Sequence, residues 1–328
     1  MKDIQHYWYD STLTPPLKLR VLSKLFSFIA SVRRGLYRLR LLYSYHPGVP
    51  VIIVGNITVG GSGKSPLIIW LATQLLKDGY RPGVISRGYA GKAHTWPQQV
   101  RPDGDARTVG DEAIMIARRT RCPMVVGPKR AQAAKALRKQ WPEVDIILSD
   151  DGMQHYALRR DIEICVIDGD RRLGNGRRLP AGPLREDESR LKSVDLVVCN
   201  GVNAQAGELL MTLTPGQLVA VNQSRQEKTL ADFKGQKVHA VAGIGNPERF
   251  FTSLEAAGIE LVRHPFADHH PYKPQDLEFK QQLPIFMTEK DAVKCERFSH
   301  LAFWYLQVTP VFSDQDQARL LATLNLKN

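Results

Sequence analysis

Residues 58–66 read TVGGSGKSP, and they directly follow the apolar run VPVIIVGNI of residues 49–57. A buried strand, a glycine-rich turn, Lys-Ser and then a helix form the context in which a phosphate-binding loop works. Gly60, Gly61 and Gly63 permit backbone angles closed to other residues, so that successive N–H groups can point at a phosphate. The positive end of the following helix dipole adds to this attraction. The stretch therefore predicts a nucleotide-binding loop within an α/β fold, in preference to an ordinary glycine turn.

The strict pattern GxxxxGK[ST] has glycine where this chain has Thr58. We expect this difference to cost little, because the later residues of the loop make most of the cradle. Lys64 is expected to reach the β- and γ-phosphates of the nucleotide, and the Ser65 hydroxyl to bind Mg²⁺. The predicted nucleotide contacts are Thr58, Val59, Gly60, Gly61, Ser62, Gly63, Lys64 and Ser65.

A metal site also needs a carboxylate at the end of a neighbouring buried strand. The run VDIILSDDG supplies Asp150 and Asp151 there, and open α/β sheets bind ligands at the carboxyl ends of their strands. A DDG sequence by itself is more often a simple turn or cap. Beside a phosphate loop, the metal-binding interpretation is favoured.

Apolar runs alternate with helical patterns over most of the chain, which predicts a parallel sheet covered by helices. Helices are predicted from Lys64 and over 110–120, 129–140, 247–257 and 314–325. The pattern predicts a P-loop NTPase-like domain, a second and smaller α/β domain, and a basic amphipathic helix at the N-terminus. The predicted boundaries are 1–48 for the N-terminal region, 49–210 for the P-loop core, 211–236 for a linker and 237–328 for the smaller domain.

The net charge of +12 in 328 residues suggests an anionic partner, such as nucleic acid, a membrane surface or a phosphorylated substrate. Half of that charge lies in residues 1–50, where eight Lys and Arg face two Asp. Residues 17–43 contain no Pro and place apolar residues at helical spacing. Two interpretations stay open for this helix: it packs on the protein's own core, or it lies on a membrane with snorkelling arginines.

Four well-separated cysteines with no CxxC pair suggest a reducing compartment and argue against a zinc site. The N-terminus MKDIQHYWYD does not resemble a secretory signal, and no uncharged apolar run approaches the 18–20 or so residues that span a bilayer. We therefore expect a cytoplasmic protein that can touch a membrane.

Seven motifs occur in a characteristic order along the chain. They are TVGGSGKSP (58–66), SRGY (86–89), GDEA (110–113), DDGMQH (150–155), LPAGPLRE (179–186), DHHPY (268–272) and MTEKDAVK (287–294). Together they closely resemble the tetraacyldisaccharide 4′-kinase family of lipid A biosynthesis, over nearly the whole chain. The resemblance implies transfer of the ATP γ-phosphate to the 4′-hydroxyl of a tetraacylated disaccharide 1-phosphate, which yields lipid IVA. It also implies peripheral attachment to the cytoplasmic face of the bacterial inner membrane through the N-terminal helix.

A sugar hydroxyl needs a group that takes its proton during phosphoryl transfer. Asp111 of GDEA is the predicted base, and the resemblance pairs it with His269 of DHHPY across a cleft. The competing interpretations are that Asp111 caps a helix and that DHHP is a surface turn. Gln154 and His155 are expected to shape the acceptor pocket, with His155 equally acceptable as a buried structural residue. Arg87 and Tyr89 follow a strand edge and are expected to face the γ-phosphate or the glycolipid, with a solvated turn as the competing interpretation. Arg185 is a further substrate candidate, and Glu186 is a site residue by resemblance only.

Further residues receive weaker assignments. Arginines 171, 172, 177, 178 and 185 surround one loop, and some of them are expected to face the acidic substrate. Thr288, Lys290 and Asp291 follow the strand PIFMT and are expected to line the cleft.

Two other functions fit parts of the sequence. A membrane-partitioning ATPase or GTPase would use the same loop and basic helix, although no NKxD-like guanine reader is visible. A nucleic-acid-binding protein would explain the charge, but the charge follows an apolar-rich helix and no RNP-like or finger pattern accompanies it. We therefore expect no nucleic-acid partner.

Overall fold

The computed structural model describes residues 4–10, 12–221, 225–298 and 303–324. Within these ranges one sheet of 13 strands runs through the molecule, with helices on both of its faces. The strands are β1 Val51–Gly55, β2 Pro82–Ser86, β3 Gln98–Gln99, β4 Met124–Val126, β5 Ile146–Asp150, β6 Ile162–Asp168, β7 Leu196–Asn200, β8 Leu209–Ala220, β9 Glu227–Lys228, β10 Lys237–Ala242, β11 Glu260–Pro265, β12 Ile285–Thr288 and β13 Phe303–Val311. The helices are α1 His6–Tyr9, α2 Leu17–Arg38, α3 Lys64–Lys77, α4 Ala106–Val109, α5 Asp111–Thr120, α6 Arg130–Gln140, α7 Pro247–Ala256, α8 Glu289–Cys295 and α9 Asp314–Thr323.

The strand order is β11-β10-β12-β13-β8-β7-β6-β1-β5-β2-β4-β3, with β9 added beside β8. Neighbouring strands from β7 to β4 are all parallel, as are β11, β10, β12 and β13. The predicted α/β class with a mostly parallel sheet and an N-terminal helix is therefore confirmed. Each predicted helix after residue 60 is present to within about two residues, a normal uncertainty for helix ends; residue 325 lies outside the described ranges.

β8 joins the two parallel halves of the sheet. Leu209 to Met211 pair with β7 in parallel, and the rest of the strand pairs with β13 in antiparallel orientation. Residues 211–220, which we expected to belong to a linker, are therefore part of a regular strand. The closing helix α9 also reaches back, because Leu320 belongs to the same apolar cluster as Leu67 of α3. The division of the chain into separate domains stays a prediction.

The core explains why the strands read as continuous apolar runs. Side chains of β1 point alternately to two buried clusters, Ile52 and Val54 toward α3 and α5, and Val51 and Ile53 toward α6. Strands covered by helices on both faces have no solvent-facing positions, so they carry no alternating polar pattern.

α2 lies on the surface with its polar side turned inward. Ser23 is buried and donates to the carbonyl of Arg178 at 2.7 Å, while Arg178 contacts Ser27 and Ser31 on the same helix face. Among its exposed residues are seven apolar ones: Leu17, Val21, Leu22, Leu25, Phe28, Ile29 and Val32. The predicted helix extended to residue 43, but it ends at Arg38, and Leu39, Leu41, Leu42 and Tyr43 continue the exposed apolar surface. Within the described ranges, no helix has both the length and the apolar content needed to cross a bilayer.

Candidate active site

Two buried asparagines hold the phosphate loop in shape. Asn56 directly follows β1, and its side-chain amide lies 3.4 Å from the carbonyl of Gly60 and 3.3 Å from the hydroxyl of Ser62. Asn200 ends β7 and donates to the carbonyl of Ser62 at 3.1 Å. Because both residues sit at the carboxyl edge of the sheet, the fold itself positions the loop in front of α3.

Glycine is required at two points of this loop. Gly60 has φ of 111° and Gly63 has φ of 93°, both in the region that favours glycine. A Cβ at Gly63 would also collide with the amide of Asn200. At the start of the loop, the N–H of Val59 donates to the carbonyl of Pro183 at 2.9 Å. The part of the loop that can surround a phosphate therefore begins at Gly60, which agrees with the tolerance of threonine at position 58.

Lys64, Asp151 and Arg185 form one charged cluster at the start of α3. Asp151 lies 3.7 Å from the Lys64 ammonium and accepts from Arg185 Nη1 at 2.9 and 2.8 Å. Burial raises the pKa of Asp151, but the charges of Lys64 and Arg185 outweigh it and hold the pKa well below its ordinary value. The carboxylate is therefore ionised at neutral pH, and it orients the lysine predicted to contact phosphate.

Asp150 lies beside the phosphate loop because it is paired in register with Val54 of β1. Its Oδ2 accepts from the Ser86 hydroxyl at 2.9 Å, whereas its buried Oδ1 has no hydrogen-bond partner among the described residues. Burial, followed by the charges of Glu112 and Asp151, raises the pKa of Asp150 to about 6. A cation would be stabilised next to this oxygen, because the oxygen is buried without a hydrogen-bond partner and two further carboxylates lie near it.

The donor set fits Mg²⁺ in particular. Within the described ranges, no group of three or more His, Cys, Asp or Glu side chains could hold a metal alone. Magnesium in kinase sites characteristically takes one or two carboxylates and completes its shell with phosphate oxygens and water. Asp150 and Asp151 supply the two carboxylates of that arrangement, and the half-buried Ser65 follows Lys64 at the start of α3.

The structure brings Asp111 and His269 together. Asp111 is the first residue of α5, and Gly110 rather than Asp111 occupies the helix-capping position, with φ of 96°. Asp111 is buried; its Oδ1 accepts from the N–H of Glu112, and its Oδ2 lies 3.4 Å from His269 Nδ1. Burial raises the pKa of Asp111, but the contact with His269 and the charge of Lys290 outweigh it and hold the pKa below its ordinary value.

His269 is held on several sides. Its backbone has φ of 61°, and its N–H donates to the carbonyl of Gly243 at 3.2 Å. The Tyr89 ring lies against the imidazole with centroids 4.7 Å apart, and Lys290 Nζ lies 3.1 Å from Nε2. The loop after β11 thus meets the loop after β2 and the start of α5, which joins the two halves of the sheet at one site.

Gln154 and His155 take different places. Gln154 Nε2 donates to the carbonyl of Asn56 at 3.0 Å, and its Oε1 accepts from Arg185 at 3.3 Å, so this residue ties Arg185 to the phosphate loop. Burial, reinforced by the charge of Arg130, lowers the pKa of His155 to about 3. His155 is therefore neutral at physiological pH.

The remaining predicted acceptor residues differ in exposure. Arg87 and Tyr89 are exposed after the end of β2. Glu186 is buried, accepts from the Tyr156 hydroxyl and lies 3.1 Å from Arg190 Nε. The structure thus gives Glu186 two protein partners and leaves the side chains of Arg87 and Tyr89 in the SRGY motif exposed, while Ser86 of the same motif is buried.

Most of the arginines around loop 171–185 also have protein partners. Arg171 donates to the carbonyl of Gly245 and lies over the Tyr9 ring at 5.2 Å, and Arg172 pairs with Glu208 at 2.7 Å. Arg178 contacts α2, while Arg177 is exposed. Beside them, a cavity of about 360 Å³ is lined by Trp8, Tyr9, Asp170, Arg171, Gly174, Asn175 and Asn246.

Several residues at the site were missed by the sequence reasoning. Asn56 and Asn200 each end an apolar strand, a pattern that could have flagged them. Arg130 is almost fully buried and donates to the carbonyl of Asp150 at 3.0 Å, and burial lowers its pKa to about 10. Nothing in the local sequence distinguishes Arg130 from the other basic residues of α6.

The comparisons with known proteins identify one family. The family model described as tetraacyldisaccharide-1-P 4′-kinase, LpxK, matches residues 16–325. The chain belongs to this family. The LpxK relatives include proteins named tetraacyldisaccharide 4′-kinase from Methylobacillus flagellatus, 49% identical over 98% of this chain and 95% of the relative, and from a Shewanella species, 50% identical over the same shares.

A solved LpxK structure is similar as well. The crystal structure of LpxK from Aquifex aeolicus in complex with ATP has a TM-score of 0.75 and 26% identity, and it covers 92% of this chain and 96% of that one. The family predicted from the ordered motifs is thus confirmed, and the chain is a kinase.

Proposed function

We propose that the chain transfers the γ-phosphate of ATP to the 4′-hydroxyl of tetraacyldisaccharide 1-phosphate and so forms lipid IVA. The observation that carries the proposal is the grouping of the phosphate loop and Lys64 with Asp150 and Asp151 at one sheet edge. Asp111 and His269 form the second part of the site and are called the dyad below. Glu112 connects the first group to this dyad, because its charge acts on Asp150 and its chain neighbour Asp111 faces His269. ATP as the donor is supported by the Aquifex relative, which was crystallised with ATP.

The chemistry assigned to each residue is simple. The acceptor oxygen forms a bond to the γ-phosphorus while the bond to the β–γ bridging oxygen breaks and ADP leaves with that electron pair. Asp111 accepts the proton of the hydroxyl group, and His269 supports the carboxylate. Lys64 and the loop N–H groups from Gly60 onward offset charge on the phosphates. Ser65, Asp150 and Asp151 would hold Mg²⁺, which would neutralise charge on the β- and γ-oxygens.

The acceptor is assigned to the face on which Tyr89 is exposed. Tyr89 touches His269, so a sugar placed against this ring would present its hydroxyl to the dyad. Arg87, Gln154, His155, Arg185 and Glu186 complete the proposed acceptor side. Among them, Arg185 and Gln154 act through the phosphate loop, and the buried Glu186 acts by fixing the loop that carries Arg185. The division of the chain into a P-loop core before residue 211 and a smaller α/β domain after residue 236 remains part of the proposal, with β8 and not a linker over residues 211–220. Asp111 and His269 lie on opposite sides of this division.

We further propose that α2 holds the enzyme on the cytoplasmic face of the bacterial inner membrane. Its serine face is turned to the protein, and its apolar face is exposed and flanked by basic residues such as Lys24 and Arg33. A helix that packs on the core of its protein has the opposite arrangement, with the apolar face turned inward. The arrangement of α2 is suited to a membrane surface, where acyl chains meet anionic headgroups. A peripheral enzyme placed in this way could reach a lipid-borne alcohol without extracting it.

Labelled ATP tests the function directly. Incubation with γ-labelled ATP, Mg²⁺ and the detergent-dispersed disaccharide 1-phosphate should label the glycolipid, whereas a partitioning ATPase would release free phosphate. Lys64→Met should reduce labelling by at least about 100-fold, because the positive charge that offsets the negative charge of the transferred phosphate is lost. Lys77→Met, an exposed position at the end of the same helix, is the matched control. Labelling by Lys64→Met at the parent rate would overturn the proposal.

A further inference from the structure

Lys290 of α8 contacts His269 and two acidic residues that are chain neighbours of the dyad. Its ammonium lies 3.1 Å from His269 Nε2, 3.0 Å from Glu112 Oε1 and 3.3 Å from Asp268 Oδ1. Its side chain is largely buried, with 14% exposed. No motif assignment gave this residue a role beyond lining the cleft, yet it touches the imidazole directly.

The contact with Nε2 restricts where the imidazole proton can be. A lysine ammonium has three donors and no acceptor, so a nitrogen at hydrogen-bond distance from it must accept. In a neutral imidazole, one nitrogen accepts and the other carries the proton. If Nε2 accepts from Lys290, the proton is on Nδ1. This buried atom makes no hydrogen bond among the described residues, and Asp111 Oδ2, at 3.4 Å, is the acceptor toward which its proton can turn.

The carboxylates around Lys290 keep it charged. Burial lowers the pKa of Lys290, but Glu112, Asp111 and Asp268 outweigh this effect and raise the pKa above its ordinary value. The opposite arrangement, with an Nε2 proton donated to a neutral amine, would place an uncharged lysine among those acids. An Nε2 proton would also find Asp268 Oδ1 only at 3.8 Å, beyond hydrogen-bond distance.

We propose that Lys290 is a positioning residue that fixes the Nδ1–H tautomer of His269 and thereby aims a donor at Asp111. The inference rests on the proposed function, in which Asp111 receives the hydroxyl proton. It assigns the two members of the dyad distinct roles. Asp111 is the base, and His269 is a donor from Nδ1 that orients the carboxylate and stabilises its charge. The role of the imidazole resembles that of other histidines whose second nitrogen is fixed by a neighbour.

The groups that face His269 come from every element packed against it. Asp111 faces Nδ1 from α5, Lys290 faces Nε2 from α8, Asp268 belongs to the same loop as His269, and the Tyr89 ring covers one side. Lys294 lies 3.9 Å from Asp111 and 2.8 Å from Asp291, and no contact joins it to His269 in the described structure. This second lysine therefore separates an effect of charge on Asp111 from an effect on the imidazole.

Long-range proton–nitrogen NMR of the full chain, with ¹⁵N-labelled histidine, reads the tautomer. The His269 peaks are assigned by their loss in His269→Gln or, if that variant does not fold, by their displacement in Tyr89→Ala. We expect the parent protein to show a protonated Nδ1 and a bare Nε2 at pH 7.5. A protonated Nε2, whether in the other tautomer or in imidazolium, would overturn the inference without any Lys290 variant.

Kinetics of Lys290 variants test the consequence for catalysis. Lys290→Met should lower kcat at least tenfold and leave the KM for ATP within about twofold, and Lys290→Arg, which retains donors and charge, should restore much of the rate. Lys294→Met removes a charge near Asp111 and should leave the His269 tautomer unchanged. The positioning role is wrong if Lys290→Met keeps the parent kcat. It is also wrong if Lys290→Met loses activity together with its folded circular dichroism spectrum and Lys290→Arg, although folded, does not restore the rate. Labelling of the glycolipid by the parent enzyme tests the proposed function separately.

Discussion

Oδ2 of Asp111 lies 3.4 Å from Nδ1 of His269, although Asp111 opens α5, between β3 and β4, and His269 follows β11 at the opposite end of the strand order. Their meeting places a buried carboxylate beside an imidazole at the edge where the phosphate loop also lies. The pair is therefore the point at which the two parallel halves of the sheet combine in one site.

Asp111→Asn should lower kcat by about 100- to 10,000-fold, the usual contribution of a positioned base. ATP affinity should stay within about twofold, because Asp111 is assigned to the acceptor proton and not to the nucleotide. Glycolipid kinetics and calorimetric ATP titration measure the two effects. Asp103→Asn, at an exposed position in the preceding loop, is the control. An equal loss of turnover and ATP affinity would make Asp111 a structural residue.

Asp150→Asn should raise the free Mg²⁺ concentration for half-maximal activity at least about tenfold, because an oxygen ligand loses its charge. Activity against buffered free Mg²⁺ measures this, and Glu143→Gln, an exposed acidic position before β5, should match the parent. An unchanged Mg²⁺ requirement would exclude Asp150 as a ligand.

Replacing Leu25, Phe28 and Ile29 by serine should weaken binding to anionic phospholipid vesicles at least about tenfold. Each of these side chains is more than half exposed, so burial in the interface would remove their apolar area from water. Co-sedimentation with vesicles measures the partition. Leu76→Ser, an exposed leucine on α3, tests whether any apolar loss has the same effect. Equal binding by parent and triple variant would show that α2 is not the membrane contact.

His155 should make the fold sensitive to acid. Burial lowers its pKa from 6.5 to about 3, so the unfolded chain binds a proton that the folded protein excludes. Stability from this residue is complete above pH 6.5 and is lost as the pH falls from 6.5 toward 3, by up to about 2 kcal/mol at pH 5.

Urea unfolding at pH 7 and pH 5 tests this sign. The parent should lose more stability between the two pH values than His155→Gln, whose side chain is neutral throughout. A variant with the same pH dependence as the parent would mean that His155 is protonated in the folded state. The comparison between pH values cancels any constant packing loss caused by glutamine.

Local sequence was enough to identify the parts of this protein whose physics is local. Glycines that need positive φ, the apolar runs of doubly covered strands and the carboxylates ending β5 each depend on neighbours in the chain. The phosphate loop, the α/β class and the helix boundaries of the core were predicted for that reason. The ordered motifs then identified the family, because their combination is far more specific than any one of them.

The orientation of α2 could not be read from its pattern. The apolar stripe at helical spacing is the same whether that stripe packs on a core or faces outward. The structure decides the matter through Ser23, which is buried against Arg178 and turns the apolar face to solvent. Residues 211–220 are a similar case, since their mixed composition suggested a linker and only pairing with both neighbours makes β8 a strand.

The sequence by itself predicted which residues would hold a phosphate and a metal ion, because those residues lie within a few positions of the ends of two strands, β1 and β5. Tertiary structure alone decided that Lys290 contacts His269, that Asn200 supports the phosphate loop and that Arg130 is buried against Asp150. These contacts join residues far apart in the chain. Their existence depends on strand order and on how loops converge at one sheet edge, which no local spacing of residue types encodes.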